Sequence, residues 1–93
     1  MVASGDPTGL LAALRKFPQS ELPIRRLMSR NENFRDMCQE LADAEFALSK
    51  VGEISPDLQE VRRCEWEQLI ARLTSEISAQ LQDSQMWAAR MAR

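Results

Sequence analysis

The sequence predicts an all-α fold: a long antiparallel helical hairpin led by one or two short N-terminal helices, assembling into a four-helix-type bundle. Three observations predict it. Phe34, Met37, Leu41, Ala44, Leu48 and Val51 alternate spacings of three and four, which places them on one stripe of a helix that packs lengthwise against another. Gly52 to Ser55 breaks the pattern, and Leu58, Val61, Trp66, Leu69, Leu73, Ile77 and Leu81 resume it. Few β-branched residues occur and no run alternates with period two, so no strand is expected.

Each element has its own start and stop signals. The first short helix, about 7–17, starts at Asp6-Pro7, with Asp6 as N-cap and Pro7 at the first helical position. Leu10, Leu11, Leu14 and Phe17 share one of its faces, and Pro18 ends it. Ser20 caps a second short helix, about 21–29, whose apolar residues are Leu22, Ile24, Leu27 and Met28. Asn31 or Asn33 caps the first long helix, about 32–51, and Gly52 stops it. Ser55-Pro56-Asp57 starts the second long helix, about 56–81 or beyond, as cap, first residue and dipole-compatible acid. The polar stretch Gln82 to Gln85 is a point where it frays or breaks, although Met86, Trp87, Ala88 and Met91 keep helical spacing. Residues 1–5 carry no ordering signal and are expected to be flexible.

Ninety-three residues allow one domain, and two long helices alone make a thin core that calls for extra helices or a partner subunit. Equal rise on two antiparallel helices places Leu41 opposite Leu69 and Met37 opposite Leu73. The same register sets Trp87 opposite Ile24 and Ser84 opposite Leu27, so the C-terminal extension covers the second short helix. Cys38 and Cys64 fall several residues out of register, too far for a disulfide. Both read as reduced packing thiols of a cytoplasmic protein. The apolar run Leu10 to Leu14 is five residues, against roughly 7–15 for a signal-peptide core and about 20 for a membrane span.

From Ile24 to Leu81 the chain resembles short bacterial helical-hairpin proteins of unknown function, the YdcH-like group. The residues that carry the likeness are Ile24-Arg25-Arg26-Leu27, Asn31 with Asn33-Phe34-Arg35, and Arg72-Leu73-Thr74-Ser75-Glu76-Ile77. The chain departs from the group in its loop, in lacking His, and in having Thr74-Ser75 where a charged pair is common. The resemblance implies a helical hairpin and a bacterial source; it implies no activity.

Composition excludes several classes of chemistry. There is no His, hence no His-based acid–base catalysis, nucleophilic dyad or imidazole metal ligand. The three glycines are isolated, so no phosphate loop exists. The chain reads as a non-enzyme without cofactor or catalytic metal. Net charge is −2, and no aromatic side chains interleave with the basic residues, so nucleic acid is not an expected partner. The charge is uneven: net +3 over residues 1–30, −6 over 31–60 and +1 over 61–93.

Several groups of side chains have two readings. Glu32, Asp36, Glu40 and Asp43 form a carboxylate stripe that reads first as a solvated helix face, then as a site for a basic partner or a hard cation. Arg25, Arg26 and Arg30, joined in the folded register by Arg90 and Arg93, are candidates for binding an anion, or simply keep the helices soluble. Cys64, beside Arg62 and Arg63, reads as a structural thiol before a redox sensor. Trp66 reads as core.

Phe46 lies about 200° from Ala44 at ~100° per residue, away from the hairpin seam. With Leu10, Leu11, Leu14, Phe17 and Ile70 it makes a set of large apolar side chains that the seam does not use, and these are the candidate interaction residues. Their surplus predicts a homodimer, and a protein–protein interaction or regulatory module that works by helix-face docking. The alternative is a membrane-surface or anionic-ligand binder that uses the helix Leu10 to Phe17 and the Arg cluster.

Overall fold

The computed structural model describes residues 7–91, and of residues 87–89 the backbone only. The fold is all-α. Helices α1 (Thr8–Lys16), α2 (Glu21–Arg30), α3 (Glu32–Ser49) and α4 (Pro56–Met91) follow in order, with 3-10 turns at Pro18–Ser20 and Val51–Glu53. The expectations for residues 1–5 and for Asp6 as a cap lie outside the described residues. Pro7 precedes the first helical residue, and its carbonyl accepts from the Leu11 N–H at 2.9 Å.

α3 is the central element. Its face Phe34, Met37, Leu41, Ala44 is buried, as is Val51 beyond its end. Asn31 sets its start: the Asn31 Oδ1 accepts from the Phe34 N–H at 3.0 Å, so Asn31 and not Asn33 is the cap. Ser20 stands at the corresponding place before α2, but its side chain makes no capping bond. α3 stops at Ser49, and the N–H of Lys50 closes its last turn on the Ala47 carbonyl at 3.1 Å. Gly52 is therefore not the stop; it lies in the 3-10 turn with open space around its Cα and no left-handed backbone angle.

α4 is 36 residues long, about 54 Å at 1.5 Å per residue, and so spans nearly all of the 57 Å length of the molecule. It is unbroken through Gln82 to Gln85, where the sequence suggested fraying. At its start the rotation differs from the expected one. Gln59 and Arg63 are half-buried there in place of Leu58 and Val61, while from Trp66 onward the expected seam holds, with Leu69 and its neighbour Ile70 packed against the core cluster. Leu73, Ile77 and Leu81 are fully or nearly buried. Leu58 and Val61, expected on the seam, are 45% and 54% exposed, and Trp66, expected in the core, is half-buried. The link explains the rotation. The Gln59 side-chain amide donates to the carbonyls of Gly52 at 3.3 Å and Ile54 at 3.0 Å, which holds Gln59 toward the turn. Leu58 then stands one ~100° step to the side.

α1 covers the back of α3. Ala12 and Ala13 are fully buried and join Cys38 and Ala42 in one core cluster with Ile24, Phe34, Leu41, Leu73 and Ile77. A Cβ placed on Gly9 would stand 3.0 Å from the backbone nitrogen of Gln39 and 3.2 Å from the carbonyl carbon of Cys38. At the other end of α1, Arg15 and Lys16 pair with Glu45 at 3.1 and 3.8 Å. Gly9 meets residues 38 and 39 while Arg15 and Lys16 meet residue 45, so α1 runs parallel to α3. α2 returns to the start of α3 with Ile24 fully buried. Leu27 and Ser84, expected opposite one another, line the same hollow between α2 and α4. The Trp87 side chain, expected opposite Ile24, lies outside the described residues.

Candidate interaction surface

The apolar side chains left over by the seam separate into two groups. Leu10, Leu14, Phe17 and Ile70 are half-buried against the core cluster. α1 folds onto α3 and half-buries Leu10 and Leu14 there, so these candidates are partly used within the single chain. Leu11 and Phe46 remain outside, 48% and 65% exposed. The Phe46 ring carries the Lys50 ammonium 5.5 Å from its centroid, and Lys50 reaches Glu53 at 3.5 Å.

Other exposed apolar side chains were not among the candidate interaction residues: Leu22, Ile54, Met86 and Met91, with Leu58 and Val61, which were expected on the seam. The available signal for Leu22 was its step off the Ile24–Leu27–Met28 face. For Leu58 and Val61 no hydropathy signal exists, because two phases of the same repeat compete at the start of α4.

Charged side chains are sorted sharply. Arg25 pairs with Glu21 at 2.9 Å, Arg62 with Glu65 at 2.8 Å, Arg63 with Glu60 at 3.4 Å and Arg72 with Glu76 at 3.9 Å. Arg35 donates to the Met28 carbonyl at 2.8 Å. Among the described residues, Arg26, Arg30 and Arg90 alone of the cations have a side chain without such a partner. All three are exposed. Arg25, grouped with them by sequence, is engaged on its own helix, and Arg93 lies outside the described residues.

A hollow of about 540 Å³ opens beside Arg30. Leu27 and Asn31 line one side, and Gln80, Asp83 and Ser84 of α4 the other. The opposed charges of Arg30 and Asp83 make it a poor trap for a simple anion.

The carboxylate stripe is exposed. Asp43 accepts from the Gln39 side-chain amide at 3.1 Å, while Glu32, Asp36 and Glu40 have no partner among the described residues. Among those residues no group of three or more His, Cys, Asp or Glu is arranged to hold a metal ion. Cys38 and Cys64 are both free thiols. Cys38 is fully buried under α1, and burial pushes its thiol up to about 12. Cys64 is exposed, not the packing thiol the sequence suggested. Among the described residues no helix is long and apolar enough to cross a membrane. No family model, no curated protein and no solved structure matches this chain.

Proposed function

We propose that this chain is a non-enzymatic, cytoplasmic interaction module that self-associates by docking helix faces, two helices of each copy forming a four-helix-type arrangement at the interface. The observation that supports this reading is the contrast between a closed core and an unfinished surface. No buried side-chain polar atom lacks a partner among the described residues, so the core needs nothing more. Yet Leu11, Leu22, Phe46, Leu58, Val61, Met86 and Met91 stay outside it. Burying each large apolar side chain contributes roughly 1.5–3 kcal/mol, which is the driving force for docking. The likeness to the bacterial YdcH-like hairpins over Ile24 to Leu81 agrees with this reading and adds no activity to it.

Size exclusion coupled to light scattering at tens of micromolar tests it. The expected mass is twice the 10.6 kDa of one chain. A single species at one chain mass removes the reading. The membrane-surface alternative keeps one supporting observation, the unpaired Arg26, Arg30 and Arg90. It loses the other, since Leu10, Leu14 and Phe17 of α1 are packed inward. Co-sedimentation with phosphatidylserine-containing vesicles at low salt, reversed at high salt, would favour that alternative.

A further inference from the structure

We propose that two copies associate about a two-fold axis at the α2–α3 corner, with α2 of each copy lying antiparallel along the acidic face of α3 of the other. This rests on the self-association reading above and names its surface. The single chain leaves charges of both signs without an ion-pair partner. On α2, Arg26 and Arg30 are exposed and unpaired, and Leu22, one turn before Arg26, is 66% exposed. On α3, Glu32, Asp36 and Glu40 are exposed and unpaired, and Phe46, beyond their end, is 65% exposed. Both runs step by four residues, about 6 Å along a helix. Laid antiparallel, they bring Arg30 against Asp36 of the second copy and Arg26 against Glu40 of the second copy. One turn further on, Leu22 comes level with Ala44 of the second copy, and Phe46, about 120° round the helix from Glu40, lies to the side of this contact.

The two runs diverge from one corner, where only Asn31 separates Arg30 from Glu32. A two-fold axis there sets each run against the opposite run of the other chain, so every contact is made twice. The alternatives are disfavoured by the same charges. Pairing α2 with α2 or α3 with α3 would juxtapose like charges. An anionic membrane would attract Arg26 and Arg30 but repel the carboxylates that leave the same corner.

Charge reversal tests the surface by light scattering and sedimentation on the full chain. One variant carries Arg26→Glu with Arg30→Glu, the other Asp36→Arg with Glu40→Arg. All four positions are exposed, so both variants are expected to keep native helicity by circular dichroism. The native chain is expected to be dimeric at tens of micromolar, and its association to weaken at least tenfold in about 0.5 M salt as exposed pairs are screened. Each variant alone is expected to be monomeric. Mixed in equal amounts they are expected to form a heterodimer, because reversed α2 meets native carboxylate replaced by Arg on one side, and native α2 meets native α3 on the other. A monomeric native chain overturns the self-association reading and this surface with it. A dimeric native chain with dimeric variants, or a mixture that stays monomeric, overturns this surface and leaves self-association standing.

Discussion

Gly9 lies so close to Gln39 that a methyl group on its Cα would stand 3.0 Å from the Gln39 backbone nitrogen. The atoms in the way are backbone atoms of α3, which cannot swing aside as the tip of a long side chain can. α1 is thus seated by the smallness of Gly9, Ala12 and Ala13 and only helped by the ion pairs of Arg15 and Lys16 with Glu45. Those pairs sit at the surface and contribute at most about 1 kcal/mol each.

Gly9→Ala therefore sets two effects against each other. Alanine in a helix gains about 1 kcal/mol over glycine, while overpacking a tight site costs about 1–3 kcal/mol. Because the contact is with backbone, overpacking is expected to win, giving a net loss of about 1 kcal/mol in urea unfolding, and a larger loss for Gly9→Val. An unchanged or raised stability for Gly9→Ala would show that α1 does not sit this closely on α3.

The rotation of α4 makes a second measurable claim. Leu41 and Ile77 are fully buried, so Leu41→Ala and Ile77→Ala are each expected to cost about 2–5 kcal/mol. Leu58 and Val61 stand outside the seam, and alanine there is expected to change stability by about 0.5 kcal/mol or less. Thermal melts of the four variants decide between this rotation and the one that buries Leu58. Equal losses at Leu58 and Leu41 would favour the latter.

These two cases also show what the sequence carried. The α3 stripe from Phe34 to Val51 was legible because its apolar residues are large and its phase has no competitor. The lower part of α4 was legible for the same reason at Leu73, Ile77 and Leu81. At the start of α4 two phases compete, one through Leu58 and Val61, the other through Gln59 and Arg63. What selects the second is a polar requirement, the Gln59 amide reaching the carbonyls of Gly52 and Ile54, to which a hydropathy pattern is blind. The seat of α1 was hidden because glycine and alanine carry little hydropathy signal; close approach of two backbones is written in the absence of side chains. The exposure of Phe46 was legible from its angle on α3. That Arg26, Arg30 and Arg90 are unpaired was not, since it depends on which carboxylates the fold brings near the other cations.

The helix starts separate two residues of similar capping propensity. Asn31 accepts a bond from the Phe34 N–H at 3.0 Å, whereas Ser20 makes no side-chain capping bond. Asn31→Ala is expected to cost about 1 kcal/mol, within the range of about 0.5–2 kcal/mol for a lost cap. Ser20→Ala is expected to be nearly neutral. Paired melts of the two variants check this, and a Ser20→Ala loss as large as that of Asn31→Ala would contradict the cap assignment.

The two thiols are expected to differ in both reactivity and pH response. Cys64 is exposed and should react with a soluble disulfide reagent at pH 8 in the folded protein. Cys38 should react only as α1 lifts or the chain unfolds, because it is fully buried beneath α1 and the thiolate is the reacting form. Its thiol is pushed from 9.0 up to about 12 by burial. A raised value in the folded state means that the folded chain holds the proton more tightly than the unfolded chain. The resulting stability is fully present below pH 9 and is lost as pH rises toward about 12. Cys38→Ala removes this titration, so its stability should fall less steeply than that of wild type across that window. Urea unfolding of both proteins at several values between pH 8 and pH 11 makes the comparison, with the difference between the two curves cancelling the lysines they share. Parallel curves, or rapid labelling of Cys38 in the folded protein, would place Cys38 in contact with solvent and α1 off the back of α3.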